Sequence, residues 1–321
     1  MSNAVQHNLY QPKEQFCEVN GVTLCYEDLG NPDGEVLVMI MGLACQMTAW
    51  PPEFLQPLLE AGYRIIRFDN RDIGHSSEID CRFKISPPMA FVGKKMGLKV
   101  NAAYTLHDMA NDGVSLLQAL KLRRPHLLGV SMGGMIAQLM AANPEVELAS
   151  LTLMMTSDNH PKTPMPDINT LWRLNGSGIR GHDLEAALKR GRAFWECVGS
   201  PAFPTPQDRI NQRIAKEYQR SYRPQGIMRQ MRSIMATACL EEYTRQIRTP
   251  TLILHGADDP LVKTQAAHRL HDLIPHSELD IIPGWGHDLP LPLLPRLATK
   301  IIKHLRSAEA RASRDYAGSE D

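Results

Sequence analysis

The sequence predicts an α/β protein: a mostly parallel sheet of about eight strands, helices on both faces, and a helical block inserted between two strands. Three observations carry that expectation. Short, apolar, β-leaning runs alternate along the 321-residue chain with longer stretches of helical period. Gly129-Val130-Ser131-Met132-Gly133 stands where one such run gives way to a helix. Between residues 157 and 246 no strand run occurs, and prolines at 161, 164, 166, 201, 204 and 206 punctuate helix-like segments.

Each element has its own reason. Residues 16–19 and 22–27 read as a hairpin, because Asn20-Gly21 is a strong two-residue turn signal. Residues 36–41 are continuously apolar, as a strand buried on both faces must be, and residues 63–69 read as a second such strand. Apolar side chains at 106, 109, 110, 114, 117 and 120 follow a helical period. Thr105 and Asp108 fit a capping box ahead of them. Residues 126–130 form a short strand, followed by the Gly-rich 131–134 and a helix that stops near Asn143-Pro144. Further strands fall at 151–155, 251–255 and 278–282, with insert helices near 183–197, 207–220 and 226–239. A closing helix is expected at 291–305. The chain thus divides into a core of 1–156 and 247–306, an insertion of 157–246, and a fraying tail of 307–321.

Composition narrows the function. Hydrophobic residues make up 43% and charged residues 22%, as in a globular chain rather than a disordered or fibrous one. Lys plus Arg and Asp plus Glu number 35 each, so net charge gives no reason to expect nucleic acid or an anionic membrane as partner. The longest apolar run falls far short of the roughly 18 residues of a membrane span. The polar N-terminus argues against a secretory signal. Six scattered cysteines with no Cys-x-x-Cys pair fit free thiols in a reducing cytoplasm.

The chemistry starts at Ser131. A Gly-x-Ser-x-Gly between strand and helix is a nucleophile elbow, in which a sharp turn strains the Ser backbone and lifts its hydroxyl clear of the sheet. A hydroxyl needs a base, and the base needs an orienting acid. His287 is the candidate base among twelve histidines, because it follows the Gly-rich loop Pro283-Gly284-Trp285-Gly286 after the last strand. Asp259, three residues after Gly256 and directly before Pro260, is the preferred acid. Asp258 and Asp158 are the alternatives, and Asp288 is expected to cap the closing helix. All three chosen groups lie past carboxyl ends of strands, where open α/β sheets build their sites. Oxyanion donors are expected from the backbone N–H of Met132 and of Leu43, the latter in Met41-Gly42-Leu43-Ala44. Neither metal-ligand spacing nor a nucleotide fingerprint is found, so no metal and no cofactor are expected.

These motifs resemble the α/β-hydrolase fold superfamily from about residue 16 to 305. Ile40-Met41-Gly42-Leu43-Ala44, Phe68-Asp69-Asn70-Arg71-Asp72-Ile73-Gly74-His75-Ser76 and Pro283-Gly284-Trp285-Gly286-His287-Asp288-Leu289-Pro290 are similar to the branch containing aclacinomycin methylesterase and related carboxylesterases. The resemblance implies a Ser131–Asp259–His287 triad, an oxyanion hole at Leu43 and Met132, and a serine esterase acting on a small-molecule ester. Met41-Gly42 departs from the His-Gly that many members carry, while Ser at 131 argues against branches that need a carboxylate nucleophile. Residues 157–246 resemble the cap of this fold. Met228, Met231 and Met235 repeat there at helical spacing, either as plain core or as a pliable pocket; Met228, Met231 and Trp285 are the candidate substrate contacts. Asp69-Asn70-Arg71-Asp72 is expected to brace the catalytic face through ion pairs. The rivals are a proline-iminopeptidase-like or lactone hydrolase on the same groups, a lyase on the same scaffold, and a binding protein without catalysis.

Overall fold

A computed structural model of the chain describes residues 12–81, 83, 99–164, 170 and 181–317. β1 (Glu14–Val19) and β2 (Val22–Leu29) pair antiparallel across Asn20 and Gly21. Both turn residues take positive φ, 46° and 76°, which fits the twist of a two-residue hairpin. β3 (Val36–Ile40), β4 (Arg64–Phe68), β5 (His126–Val130), β6 (Ser150–Met154), β7 (Thr251–Gly256) and β8 (Glu278–Ile282) follow. The eight strands form one sheet in the order β1-β2-β4-β3-β5-β6-β7-β8. β2 meets β4 antiparallel; every pair beyond it is parallel.

Two apolar layers bury the sheet. On one face lie α1 (Pro52–Glu60) and α9 (Leu294–Ala317), where Phe54, Leu58, Leu297 and Ile301 share a cluster with Leu37, Met39 and Leu128. On the other lie α2 (Leu106–Ala119), α3 (Met132–Ala141) and α8 (Thr264–Leu273), where Met109, Ile136, Met140 and Leu270 join Val38, Ile40 and Leu127. This two-sided burial explains why β5 and β6 have no polar-out alternation. Thr105 N and Oγ1 both donate to Asp108 Oδ2, at 2.7 and 2.8 Å, at the start of α2. α1 escaped the sequence reading because Pro57 lies inside it. Burial of Phe54, Leu55, Leu58 and Leu59 carries the helix regardless.

Between β6 and β7 the described residues form α4 (Leu184–Val198), α5 (Gln207–Arg220), α6 (Pro224–Ala236) and the short α7 (Glu241–Thr244). Asp183 caps α4 by accepting from Ala186 N at 2.8 Å. No helix among the described residues is long and apolar enough to cross a membrane.

One expectation is corrected at the C-terminus. Residues 307–317 are not a fraying tail but the last turns of α9. Ala308 is buried, and the Glu309 carboxylate accepts from Tyr63 Oη at 2.8 Å and faces His126 Nε2 at 3.1 Å. Those contacts tie the helix end to the residue before β4 and to β5. Truncation after Arg306 is therefore expected to lower the unfolding free energy by about 2 kcal/mol, seen as a lower urea midpoint at unchanged slope. An unchanged midpoint would return the segment to the status of a tail.

Candidate active site

The sharpest backbone feature is at Ser131, between β5 and α3. Its φ of 53° and ψ of −120° lie in a region that L residues avoid. The bend is enforced from both sides: a Cβ on Gly129 would stand 2.3 Å from Gly133 O, and one on Gly133 would stand 2.2 Å from Ile40 O. Only glycine permits these approaches. Ser131 N donates to Met154 O at 2.9 Å and Thr156 Oγ1 donates to Ser131 O at 2.6 Å, so β6 and the loop after it hold the bend in place.

Ser131 Oγ lies 3.0 Å from His287 Nε2, and His287 Nδ1 lies 2.6 Å from Asp259 Oδ2. Asp259 is buried, and its other oxygen accepts from Leu261 N and Val262 N at 2.8 Å each. Those two amides fix the carboxylate's orientation. His255, on β7, stands behind it with Nε2 at 3.7 Å from Asp259 Oδ2 and 2.7 Å from Val262 O. Burial pushes the His255 imidazole's pKa down.

The competing acids lie elsewhere. Asp258 accepts from Gly284 N at 2.7 Å and shapes the His287 loop; Asp158 is paired with Arg269 Nε at 2.6 Å. Asp288 does not cap a helix, because α9 begins beyond it and its carboxylate turns inward to accept from Ser200 Oγ. Ser200 Oγ in turn accepts from Gly286 N at 2.9 Å, and His287 N donates to Val198 O at 2.7 Å. The end of α4 therefore grips the His287 loop. Trp285 is also corrected: it has no exposed surface, and its indole Nε1 donates to Asp288 O at 2.8 Å, so it braces the loop from the core.

Leu43 is half-buried and Met132 buried, and among the described residues neither amide donates to a protein acceptor. The backbone of Gly42 presses on Ser131, since a Cβ there would meet Ser131 Cβ at 3.1 Å. The Asp69–Asp72 turn makes the ion pairs expected of it. Asp69 Oδ2 pairs with Arg220 at 2.7 Å, Arg71 with Asp112 at 2.5 Å, and Asp72 with Arg229 at 2.8 Å. Met228 is exposed and Met231 half-buried, and both stand outside the two core clusters. The reason is that α6 buries its polar residues, Arg229, Gln230, Arg232 and Ser233. Sequence periodicity gave no sign of Gln230, Ser200 or Thr156, whose partners are remote and mostly backbone atoms.

Two mixed clusters have metal-ligand chemistry: Glu14, Cys25 and His75, and His160, Cys239 and Glu241. Each carries an arginine already bound to its carboxylate, Arg220 and Arg269 respectively. A guanidinium seated there opposes a cation electrostatically.

A doubly wrapped, mostly parallel sheet with a hydroxyl, an imidazole and a carboxylate aligned at the carboxyl ends of its strands defines a hydrolase frame. The chain belongs to the α/β-hydrolase fold family, whose model matches residues 35–292. The rhodomycin D methylesterase DnrP of Streptomyces peucetius is 27% identical over 306 residues, which cover 89% of this chain and 96% of that one. Among solved structures, the esterase RhEst1 from Rhodococcus sp. ECU1013 is similar with a TM-score of 0.68 at 23% identity, over 93% of this chain and 100% of its own. The enol-lactonase from Burkholderia xenovorans LB400 is similar with a TM-score of 0.67 at 18% identity, over 91% and 100%. At these identities the two structures speak for the fold.

The inward turn of Asp288 has a measurable cost. Burial pushes its carboxyl up to about 6, with the Ser200 hydrogen bonds and the His287 charge opposing. The folded value lies above the ordinary one, so the native state holds the extra proton and loses stability as pH rises from about 4 to about 6. Asp288→Asn removes that ionisation. Its stability advantage over the parent is expected to grow across this interval, to on the order of 2 kcal/mol, and then level off. Urea unfolding at a series of pH values checks this; parallel curves for the two proteins would contradict it.

Proposed function

We propose that the protein is a serine hydrolase that cleaves carboxylic esters of small to medium apolar substrates through an acyl-enzyme. The chain is an enzyme of the carboxylic ester hydrolase class. The single observation that carries the mechanism is the relay Ser131 Oγ–His287–Asp259, with 3.0 and 2.6 Å between successive polar atoms. Ser131 attacks the ester carbonyl as His287 Nε2 takes its proton. Asp259 holds the Nδ1–H tautomer and stabilises the imidazolium. His287 then passes the proton to the leaving alcohol, and a water activated by the same imidazole releases the acid. The unpaired amides of Leu43 and Met132 are the donors for the oxyanion.

Supporting the ester over other acyl substrates are the sequence relatives, which include the methylesterase DnrP. The helices between β6 and β7 act as a cap over the strand ends. Met228 and Met231 offer adaptable apolar surface on that cap.

The purified protein is expected to turn over p-nitrophenyl butyrate and to take a fluorophosphonate label at Ser131. Ser131→Ala should lose at least about a thousandfold in kcat and all labelling. Full turnover by that variant would overturn the assignment. Labelling of the parent without turnover of any ester in a panel would instead mark a binding protein.

A further inference from the structure

The loop that carries Leu43 is pinned at its two ends by the turn after β4: Asn70 Nδ2 donates to Met41 O at 3.1 Å and Met47 N donates to Asp69 Oδ1 at 2.7 Å. Between those ends Ala44 takes a left-handed φ of 65°, and Cys45 N donates to Gly42 O at 3.3 Å. Further support comes from the helices between β6 and β7. Gln46 Nε2 donates to Glu217 O and Ser221 O, at 2.7 and 2.8 Å, at the end of α5. Ala44 N, the amide next to Leu43, donates to Gln230 Oε1 on α6 at 3.1 Å.

Gln230 is unusually constrained. It is fully buried, and its Nε2 donates to Arg71 O at 2.8 Å. The amide cannot be turned over, because its oxygen faces an N–H and its nitrogen faces a carbonyl. The helix beneath it cannot slide either. Arg229 binds Asp72 with both Nε and Nη2, at 2.9 and 2.8 Å, and a Cβ on Gly226 would stand 1.9 Å from Asp72 O. Gln230 is therefore a fixed strut between the Arg71 turn and the loop behind the nucleophile.

We infer that Gln230 is a positioning residue for the oxyanion site, aligning Leu43 N–H through the hydrogen bond it accepts from Ala44 N; this rests on the serine-hydrolase reading above. An N–H aimed at an oxyanion acts only once negative charge develops on the carbonyl oxygen. Loss of its alignment therefore lowers kcat and spares ground-state binding. A helix that merely loosened would disturb KM and thermal stability as well.

The test uses Gln230→Met, which keeps the side-chain length and removes both hydrogen bonds. With p-nitrophenyl butyrate, kcat is expected to fall 10- to 100-fold while KM stays within about twofold. A trifluoromethyl ketone, which gives a tetrahedral oxyanion adduct on serine, should lose affinity by a similar factor. The corresponding alcohol should bind as before. An unchanged kcat, or a loss expressed in KM alone, overturns the inference.

Gln230→Leu covers the case in which the Met variant does not fold. It too leaves Ala44 N without its acceptor. Its kcat is expected to fall in the same 10- to 100-fold range with KM within about twofold; an unchanged kcat in this variant overturns the inference. A parent that hydrolyses no ester and takes no fluorophosphonate label overturns the underlying reading and this inference with it. A parent that does both, beside variants of full kcat, overturns this inference alone.

Discussion

Everything at the strand ends hangs on one backbone conformation, the positive φ of Ser131. It is sterically unfavourable for a residue with a side chain, so neighbouring contacts must impose it. They do so in layers. Gly129 and Gly133 clear the space, Met154 O and Thr156 Oγ1 hold the peptide groups on either side, and α3 continues at once into the core. The same bend that raises the hydroxyl toward His287 leaves Met132 N–H without a helical partner. The raised hydroxyl and the unpaired amide are thus products of a single turn.

The second organising feature is the polarity of the insert. An amphipathic helix usually buries its apolar face, but α6 buries arginine, glutamine and serine. The partners of Arg229 and Gln230 include the Asp72 carboxylate, the Arg71 carbonyl and the Ala44 amide, each in a loop at the carboxyl end of the sheet. Buried pairs of this kind add little net stability over apolar packing, since desolvation offsets the attraction. They do impose one geometry, because losing either partner leaves an uncompensated charge or donor. The insert is joined to the core by directional bonds at the Leu43 loop, the Asp69–Asp72 turn and the His287 loop.

Much of this was legible in the sequence, and the division follows from range. Local period and turn chemistry located all eight strands, the Asn20-Gly21 turn and the Thr105–Asp108 cap, because each is decided by residues a few positions apart. The elbow announced itself because its steric demand falls within five consecutive residues. α1 stayed hidden behind Pro57, whose local penalty is outweighed by burial. The helical end of α9 was missed for the opposite reason: its composition reads as a polar tail, and its anchors, Tyr63 and His126, come from distant elements. Trp285 reads as a surface for ligand beside His287, yet its indole is spent on Asp288 O inside the core. Gln230 has no signature at all, for its partners lie 186 and 159 positions away and one amide looks like another.

The inverted helix α6 also separates two kinds of duty that most helices combine. Because its grip on the sheet runs through polar side chains, Met228 and Met231 stand outside the two core clusters. Natural drift or deliberate engineering can rewrite that outward surface while the frame beneath it keeps its form. Surface chemistry and foldability are thereby free to change at different rates.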